Sequence, residues 1–164
     1  MAKIKIEKSA NLDALIKRDD FFEDTEDQSE SNELRITDLE PGITFNRLRK
    51  PDFQRETANW TPEQIVDLIE TFCAGDIIPS IILWESGSRI FVVDGAHRLS
   101  ALIGWIQSDF GAGDLSRRLY DGRISPHQRQ MHDRTMDLLK NGVGLWEDYK
   151  VKRPTWSLKT LQVQ

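Results

Sequence analysis

The chain has 164 residues, of which 38% are hydrophobic and 30% charged, and its formal net charge is −5. This length suits one domain with tails rather than two full domains, and the net charge excludes a polycation that coats DNA. No apolar run could cross a bilayer, the N-terminus has no secretory signal, and the lone Cys73 excludes an internal disulfide. We therefore expect a cytoplasmic protein without a membrane partner.

Acidic residues are concentrated near the N-terminus. Residues 19–33 are rich in Asp and Glu and poor in aliphatic side chains, so little burial can offset the entropy of ordering them. We expect residues 1–33 to form a flexible acidic segment, with order beginning near Leu34. Polar and apolar residues alternate over 35–39, which predicts a short strand that ends before Pro41.

The clearest helix signal covers residues 61–74. Thr61 is a good N-cap, Pro62 occupies the first helical position, and Gln64 completes a capping box. Apolar residues then recur at helical spacing until Gly75, which is typical of a helix C-cap.

A hairpin and a second helix follow. Residues 80–84 and 90–93 are β-branched runs separated by a turn at 85–88, and both are apolar on both faces, which predicts a covered sheet. Helical spacing begins at Ala96, and we expect the glycines of 111–113 to end that helix. The core prediction combines these elements: Ile65, Leu68, Ile69, Phe72, Ile82, Val92, Leu99, Leu102 and Ile103.

Residues 113–164 are predicted to form a mostly helical, mildly basic extension. Ser125 caps a helix over 126–140. We interpret the basic residues as an exposed helix face, with an anionic partner as the alternative. His127 and His132 are five positions apart and do not share a helix face, so we expect solvent-exposed side chains rather than metal ligands.

The joint between the second hairpin strand and the following helix carries the strongest functional signal. A helix N-terminus presents unpaired backbone N–H groups, and Gly95 allows an anion to approach them. His97 and Arg98 add side-chain donors in the first turn, which predicts a phosphate site. In the alternative interpretation, Asp94 only caps the helix and Arg98 only pairs with it.

A second cluster precedes the capped helix on an irregular segment. Gln54 and Arg55 would reach the same anion if the loop lies beside the joint, and otherwise they are surface residues. We expect Trp60 to pack as a hydrophobic staple.

The order of these motifs resembles the ParB/sulfiredoxin-like superfamily. The likeness is strongest to DGQHR-motif proteins and to the N-terminal domains of modification-dependent restriction enzymes. It covers residues 34–110, about half of the chain. The residues that carry it are Phe53-Gln54-Arg55, the capped helix, Ile77-Ile78-Pro79 with its strand, and Val93-Asp94-Gly95-Ala96-His97-Arg98-Leu99.

This resemblance implies an α+β fold, with a small mixed sheet packed with helices over 34–112. It also implies that a nucleoside triphosphate binds through the backbone N–H groups of Gly95 and Ala96 and the side chains of His97 and Arg98, with Gln54 and Arg55 beside the pocket. Asp94 would orient the turn, or act with Mg²⁺ or as a base in relatives that hydrolyse nucleotides. The catalytic candidates are therefore Asp94, His97 and Arg98.

Two departures from the family pattern concern position 96. Ala96 stands where sulfiredoxin has its catalytic cysteine, so sulfiredoxin activity is not expected. It also replaces the Gln of DGQHR, so any hydrolytic role of that amide is absent. We find neither a helix-turn-helix module nor an HNH nuclease domain in the remaining sequence.

With this resemblance, we expect a nucleotide-binding module, with or without NTP hydrolysis, that acts with DNA or a DNA-acting partner in DNA maintenance or defence. A nuclease or nickase that handles DNA backbone phosphates with the same motif is the first alternative. A non-catalytic interaction domain, in which residues 94–98 form only a capped turn, is the second. Each is compatible with a homo-oligomer, and no metal ligand set is assigned.

Overall fold

The computed structural model describes residues 8–22, 33–152 and 157–162. A six-stranded mixed sheet has the order β1-β3-β5-β4-β6-β2. Its strands are β1 (Lys17–Asp19), β2 (Glu33–Arg35), β3 (Leu48–Pro51), β4 (Ile81–Ser86), β5 (Arg89–Asp94) and β6 (Ser157–Gln162). The β4–β5 and β2–β6 pairs are antiparallel and the other pairs are parallel. The α+β prediction with a mixed sheet is confirmed, although no strand was predicted at β6.

Six α-helices and one 3₁₀ helix, Ile36–Leu39, accompany this sheet in the described part of the chain. The α-helices are α1 (Ile43–Arg47), α2 (Pro62–Ala74), α3 (Ala96–Gln107), α4 (Asp114–Leu119), α5 (Pro126–Lys140) and α6 (Trp146–Lys152). Helix α2 packs against both α3 and α5. None of the helices in the described ranges is long and apolar enough to span a membrane.

The two strongest helix predictions are confirmed. In α2, the Thr61 side chain accepts a hydrogen bond from the Gln64 backbone N–H, and the Gln64 side chain accepts one from the Thr61 N–H. Gly75 ends this helix in the left-handed conformation, with φ of 77°. Helix α5 begins in the same way, with a capping box between Ser125 and Gln128. Local hydrogen bonds within a few residues therefore determine where both helices begin.

The predicted hairpin is confirmed as β4–β5, but one core residue on it was wrong. Ile81 and Leu83 are the buried residues of β4, whereas Ile82 between them is only partly buried and lies outside the core. Because side chains alternate along a strand, assigning Ile82 to the core placed the wrong face of β4 inward. Phe72 packs against the core as a partly buried residue, and the other predicted members belong to it: Ile65, Leu68, Ile69, Val92, Leu99, Leu102 and Ile103.

Two predicted boundaries differ from the structure. Residues 35–39 do not form a strand, since β2 ends at Arg35 and its N–H is bonded to Asp38 Oδ2 at the start of the 3₁₀ helix. Helix α3 ends at Gln107, before the glycines of 111–113. Buried Asp109 organises the loop that follows, because its carboxylate accepts hydrogen bonds from the backbone of Gly111 and Ser116.

The N-terminal segment corrects the prediction of flexibility over residues 1–33. Leu12, Leu15 and Ile16 are buried members of the core, and β1 pairs in parallel with β3 at one edge of the sheet. Apolar burial and strand pairing thus order residues between 12 and 19, which largely precede the acidic stretch of 19–33 but were included in the predicted flexible segment. Residues 1–7 and 23–32 lie outside the described part, and the prediction is not assessed for them.

The two histidines of α5 are half-buried rather than solvent-exposed, because this helix packs against other parts of the chain. His132 Nδ1 accepts a hydrogen bond of 3.0 Å from the Phe110 backbone N–H. His127 Nε2 lies 3.2 Å from the Ser9 carbonyl oxygen. Burial lowers the pKa of His132 below its ordinary value. Both side chains therefore have structural contacts, and His132 depends on an unprotonated Nδ1.

Leu102→Ala tests the core assignment. Leu102 is fully buried, so its truncation should lower the free energy of unfolding by about 2–5 kcal/mol. The control is Ile77→Ala, since Ile77 is 95% exposed and its loss should change stability by less than about 0.5 kcal/mol. Denaturant unfolding measures both values, and equal effects would contradict the assignment.

His132→Asn tests the pH dependence of stability. The lowered pKa in the folded state means that the stability contribution of His132 is complete above its unfolded pKa of about 6.5. The contribution is lost as the pH falls from there through the folded pKa, because the unfolded chain binds the proton more readily. Asn can keep an acceptor near the Nδ1 position without titrating.

We expect the free energy of unfolding to fall less between neutral and mildly acidic pH in His132→Asn than in the wild type. Chemical denaturation over that range provides the measurement. If the free energy of unfolding changed equally with pH in both proteins, the hydrogen bond from Phe110 would not be coupled to protonation of His132.

Candidate phosphate-binding site

The structure brings all seven predicted site residues into one cavity of about 270 Å³. They come from the loop between β3 and α2 and from the turn between β5 and α3: Gln54, Arg55, Asp94, Gly95, Ala96, His97 and Arg98. Thr57, Trp60 and Val93 complete the wall. Two segments about forty residues apart in sequence thus form one site.

A single residue forms the turn from β5 to α3. Strand β5 ends at Asp94 and α3 begins at Ala96, with Gly95 between them at φ of 91°. A Cβ atom on Gly95 would lie 3.1 Å from both Arg98 Nη2 and Ile81 Cγ1. Glycine is therefore required for its backbone conformation and for the close approach of these neighbours. No side chain caps α3 at Gly95, which leaves first-turn N–H groups available for an anion.

Arg98 connects this turn to the start of β4. Its Nη2 atom donates to the Ser80 carbonyl oxygen at 2.9 Å and lies 3.4 Å from Asp94 Oδ2. The ion pair expected from the capping alternative is therefore formed, and the Asp94 side chain remains 63% exposed. Arg98 Nε is buried and has no hydrogen-bond partner within the described residues. Of the guanidinium nitrogens, Nη2 is hydrogen-bonded within the protein, whereas Nε has no partner among the described residues.

His97 is held between an aromatic ring and buried charges. Its ring stacks on Trp60, with centroids 5.7 Å apart. Burial lowers the pKa of His97, and the positive charges of Lys50 and Arg98 lower it further, while Asp13 acts in the opposite direction. The imidazole is therefore neutral at pH 7. Its Nε2 atom is buried without a hydrogen-bond partner in the part of the chain that the structure describes.

The two predicted loop residues differ in what they offer a ligand. Gln54 Nε2 donates to the carbonyl oxygens of Val92 and Val93, at 2.7 and 2.6 Å, and so ties the loop to the end of β5. Arg55 is exposed and makes no hydrogen bond or ion pair with any described residue. Gln54 therefore positions the loop, and Arg55 places at the cavity a cation that no described residue pairs with.

Sequence reasoning missed several contributors to this site. Trp60 packs against the core, as the expected staple role implies, but its ring also stacks on His97 and lines the cavity. Thr57 lines the cavity, and fully buried Lys50 donates to its hydroxyl group at 3.1 Å. An aromatic residue next to the loop motif was a usable signal for Trp60. No feature of the sequence indicated that Lys50 would be buried behind the site, since lysine side chains are normally exposed.

The fold and the cavity define a small α+β domain with a cavity at the turn that follows a central strand. Residues 36–159 match the family model described as GmrSD restriction endonuclease, N-terminal domain. The match covers more than half of the chain, so the chain belongs to this family. The resemblance to N-terminal domains of restriction enzymes is confirmed, and the wider kinship with the ParB/sulfiredoxin-like superfamily stays a prediction. Comparisons with curated proteins and with solved structures gave no match.

Gly95→Ala tests the constraint on the turn, and Gly75→Ala is a matched control. Both glycines have positive φ, but an added Cβ meets no atom within 4 Å at Gly75 and two atoms at 3.1 Å at Gly95. Left-handed strain alone should cost about 1–2 kcal/mol at each position, and crowding should make Gly95→Ala the more destabilising change. Thermal or denaturant unfolding measures the difference, and equal losses would show that crowding at the turn is unimportant.

Proposed function

We propose that this cavity binds the phosphates of a nucleoside triphosphate, and that the domain acts in a DNA-directed restriction system. The observation that supports this most strongly is the convergence of the Gln54–Arg55 loop on the Gly95–Arg98 turn. Membership of a restriction endonuclease family supports the DNA-directed context.

The charge of the cavity favours an anion. Among the described residues, Arg55 has no ion-pair partner, and the buried Nε of Arg98 has no hydrogen-bond partner. Asp94 is the one carboxylate among the described residues of the cavity wall, and it already contacts Arg98. Arginine N–H groups and helix N-terminal amides are the donors that phosphate oxygens accept best. A triphosphate would thus satisfy buried donors that the protein leaves unpaired.

The size and walls of the cavity suit part of a nucleotide. About 270 Å³ lies close to the lower end of small-molecule pockets, which is roughly 300 Å³. We assign this space to the phosphates and place the nucleoside toward the half-buried Trp60.

Two residues would serve hydrolysis of a bound triphosphate. Neutral His97 can accept a proton from an attacking water. The exposed carboxylate of Asp94 can hold Mg²⁺ together with the phosphates, because Mg²⁺ is usually bound by one or two carboxylates and phosphate oxygens. Ala96 stands where the DGQHR motif has Gln, so no side-chain amide at this position assists hydrolysis. Release of inorganic phosphate with and without Mg²⁺ measures this step.

Arg55→Ala tests the binding proposal, with Arg123→Ala as the control for an exposed arginine outside the cavity. A triphosphate at about 100 times its Kd should stabilise the wild type by about 2.7 kcal/mol. Loss of a charged hydrogen bond costs about 1.5–3 kcal/mol, which is roughly a ten- to hundredfold loss of affinity. Without ligand, Arg55→Ala should melt like the wild type, because exposed Arg55 makes no hydrogen bond or ion pair with any described residue.

Thermal-shift titration with each nucleoside triphosphate, with and without Mg²⁺, provides the measurement. No stabilisation of the wild type by any triphosphate would overturn the proposal. Metal-dependent nicking of plasmid DNA would instead support the nuclease alternative, and neither response would support an interaction domain. Arg98→Ala is less selective, because Arg98 also bonds the Ser80 carbonyl and its loss should lower stability as well.

A further inference from the structure

A buried charged cluster lies behind the loop that carries Gln54 and Arg55. The Lys50 side chain is fully buried, and its ammonium group donates to Asp13 Oδ1 at 2.5 Å, to the Asp13 carbonyl at 2.9 Å and to Thr57 Oγ1 at 3.1 Å. The three N–H donors of this ammonium group therefore have three acceptors. Such complete pairing is what a buried charge requires.

The Asp13 carboxylate is the centre of this cluster. Besides Lys50, its Oδ1 atom accepts a hydrogen bond of 3.1 Å from the Thr57 backbone N–H and lies 3.3 Å from Arg18 Nη2. Arg18 in turn donates to the Gln54 carbonyl oxygen. One carboxylate thus connects the N-terminal segment to both ends of the stretch from Gln54 to Thr57.

Backbone hydrogen bonds extend the same connection. The N–H groups of Ala10 and Leu12 donate to the carbonyl oxygens of Trp60 and Thr57, each at 2.9 Å. Residues 54–60 contain no helix or strand of their own. A loop without internal hydrogen bonds is positioned by its external contacts, and here many of these come from residues 10–18.

We propose that Asp13 is a positioning residue of the phosphate site, which with Lys50 holds the 54–60 loop against the β5–α3 turn. This inference rests on the proposed function. Its structural basis is that the loop held by Asp13 supplies Gln54, Arg55, Thr57 and Trp60 to the cavity wall.

The charges around His97 provide a readout that needs no nucleotide. Lys50 and Arg98 lower the pKa of His97, and Asp13 raises it. Neutralising Asp13 should therefore lower the His97 pKa further, whereas removing Lys50 as well should reverse that change. A residue that only stabilised the fold would not shift this titration in opposite directions.

The experiment compares Asp13→Asn with the double variant Asp13→Asn/Lys50→Met in the full chain. Asn keeps an acceptor for Lys50 and Thr57 and removes only the charge. The single variant leaves the Lys50 charge buried without its counterion, whereas the double variant leaves no buried charge uncompensated, so it should fold even if the single one is unstable. Asp19→Asn is the control, since Asp19 lies in the same segment but pairs with Arg49 and Arg89.

We expect Asp13→Asn to lower the His97 pKa, as measured by NMR titration of its imidazole. Its affinity for the triphosphate that stabilises the wild type most should fall about ten- to a hundredfold, as misplacement of binding groups does elsewhere. The double variant should regain stability and a higher His97 pKa without regaining affinity. Asp19→Asn should leave both readouts unchanged.

The inference would be overturned if Asp13→Asn kept both the wild-type pKa of His97 and the wild-type affinity for the triphosphate. Full affinity in a folded double variant would overturn it as well. If the wild type binds no triphosphate, the proposed function fails, and the His97 titration still decides whether Asp13 and Lys50 set the charge at this site. The two failures are therefore distinguishable.

Discussion

The arrangement of this domain depends on the backbone conformation of one residue, Gly95. It joins β5, which lies between β3 and β4, to α3, whose apolar face fills the core. The left-handed conformation turns the chain within a single residue, so α3 returns over the sheet and its first turn remains beside the strand end. The same joint therefore places Leu99 and Leu102 in the core and His97 and Arg98 at the cavity.

The other wall of the cavity has no comparable local determinant. It is a loop whose position depends on a buried lysine, a carboxylate from the N-terminal segment and a glutamine amide bonded to β5. Desolvation of the Lys50 ammonium group is costly, and it is offset only because all three of its hydrogen bonds are made. The N-terminal segment and the loop are thus energetically coupled, although none of the described residues 8–22 lines the cavity.

The resulting site combines properties that suit an anionic ligand of a restriction-endonuclease domain. His97 is kept neutral by burial and by neighbouring cations, Arg55 has no ion-pair partner in the described part of the chain, and Arg98 is only partly used in internal contacts. Arg98 shows that the structural and functional interpretations of the turn are not exclusive. Its Nη2 atom holds the turn, and its Nε atom remains without a partner in the described chain.

The sequence alone determined the elements that depend on neighbours within a few positions. The caps at Thr61 and Ser125, the β4–β5 hairpin and the Gly95 joint are local, because each requires particular residue types at short spacing. The residues named as site candidates lie on two such local motifs, and all of them line the cavity. The local pattern failed at Ile82, where both faces of the strand are apolar and period alone cannot choose the buried one.

Only the tertiary structure decided which distant residues contact these local elements. Lys50 and Asp13 are 37 positions apart, and Gln54 is 38 from Val92. No sequence period links such pairs, and their contact exists only after the sheet has brought β1 and β5 to either side of β3. Burial of the N-terminal segment and of His132 likewise depends on packing partners elsewhere in the chain. Composition reports the average polarity of a segment, whereas burial depends on the surfaces that the folded chain places against it.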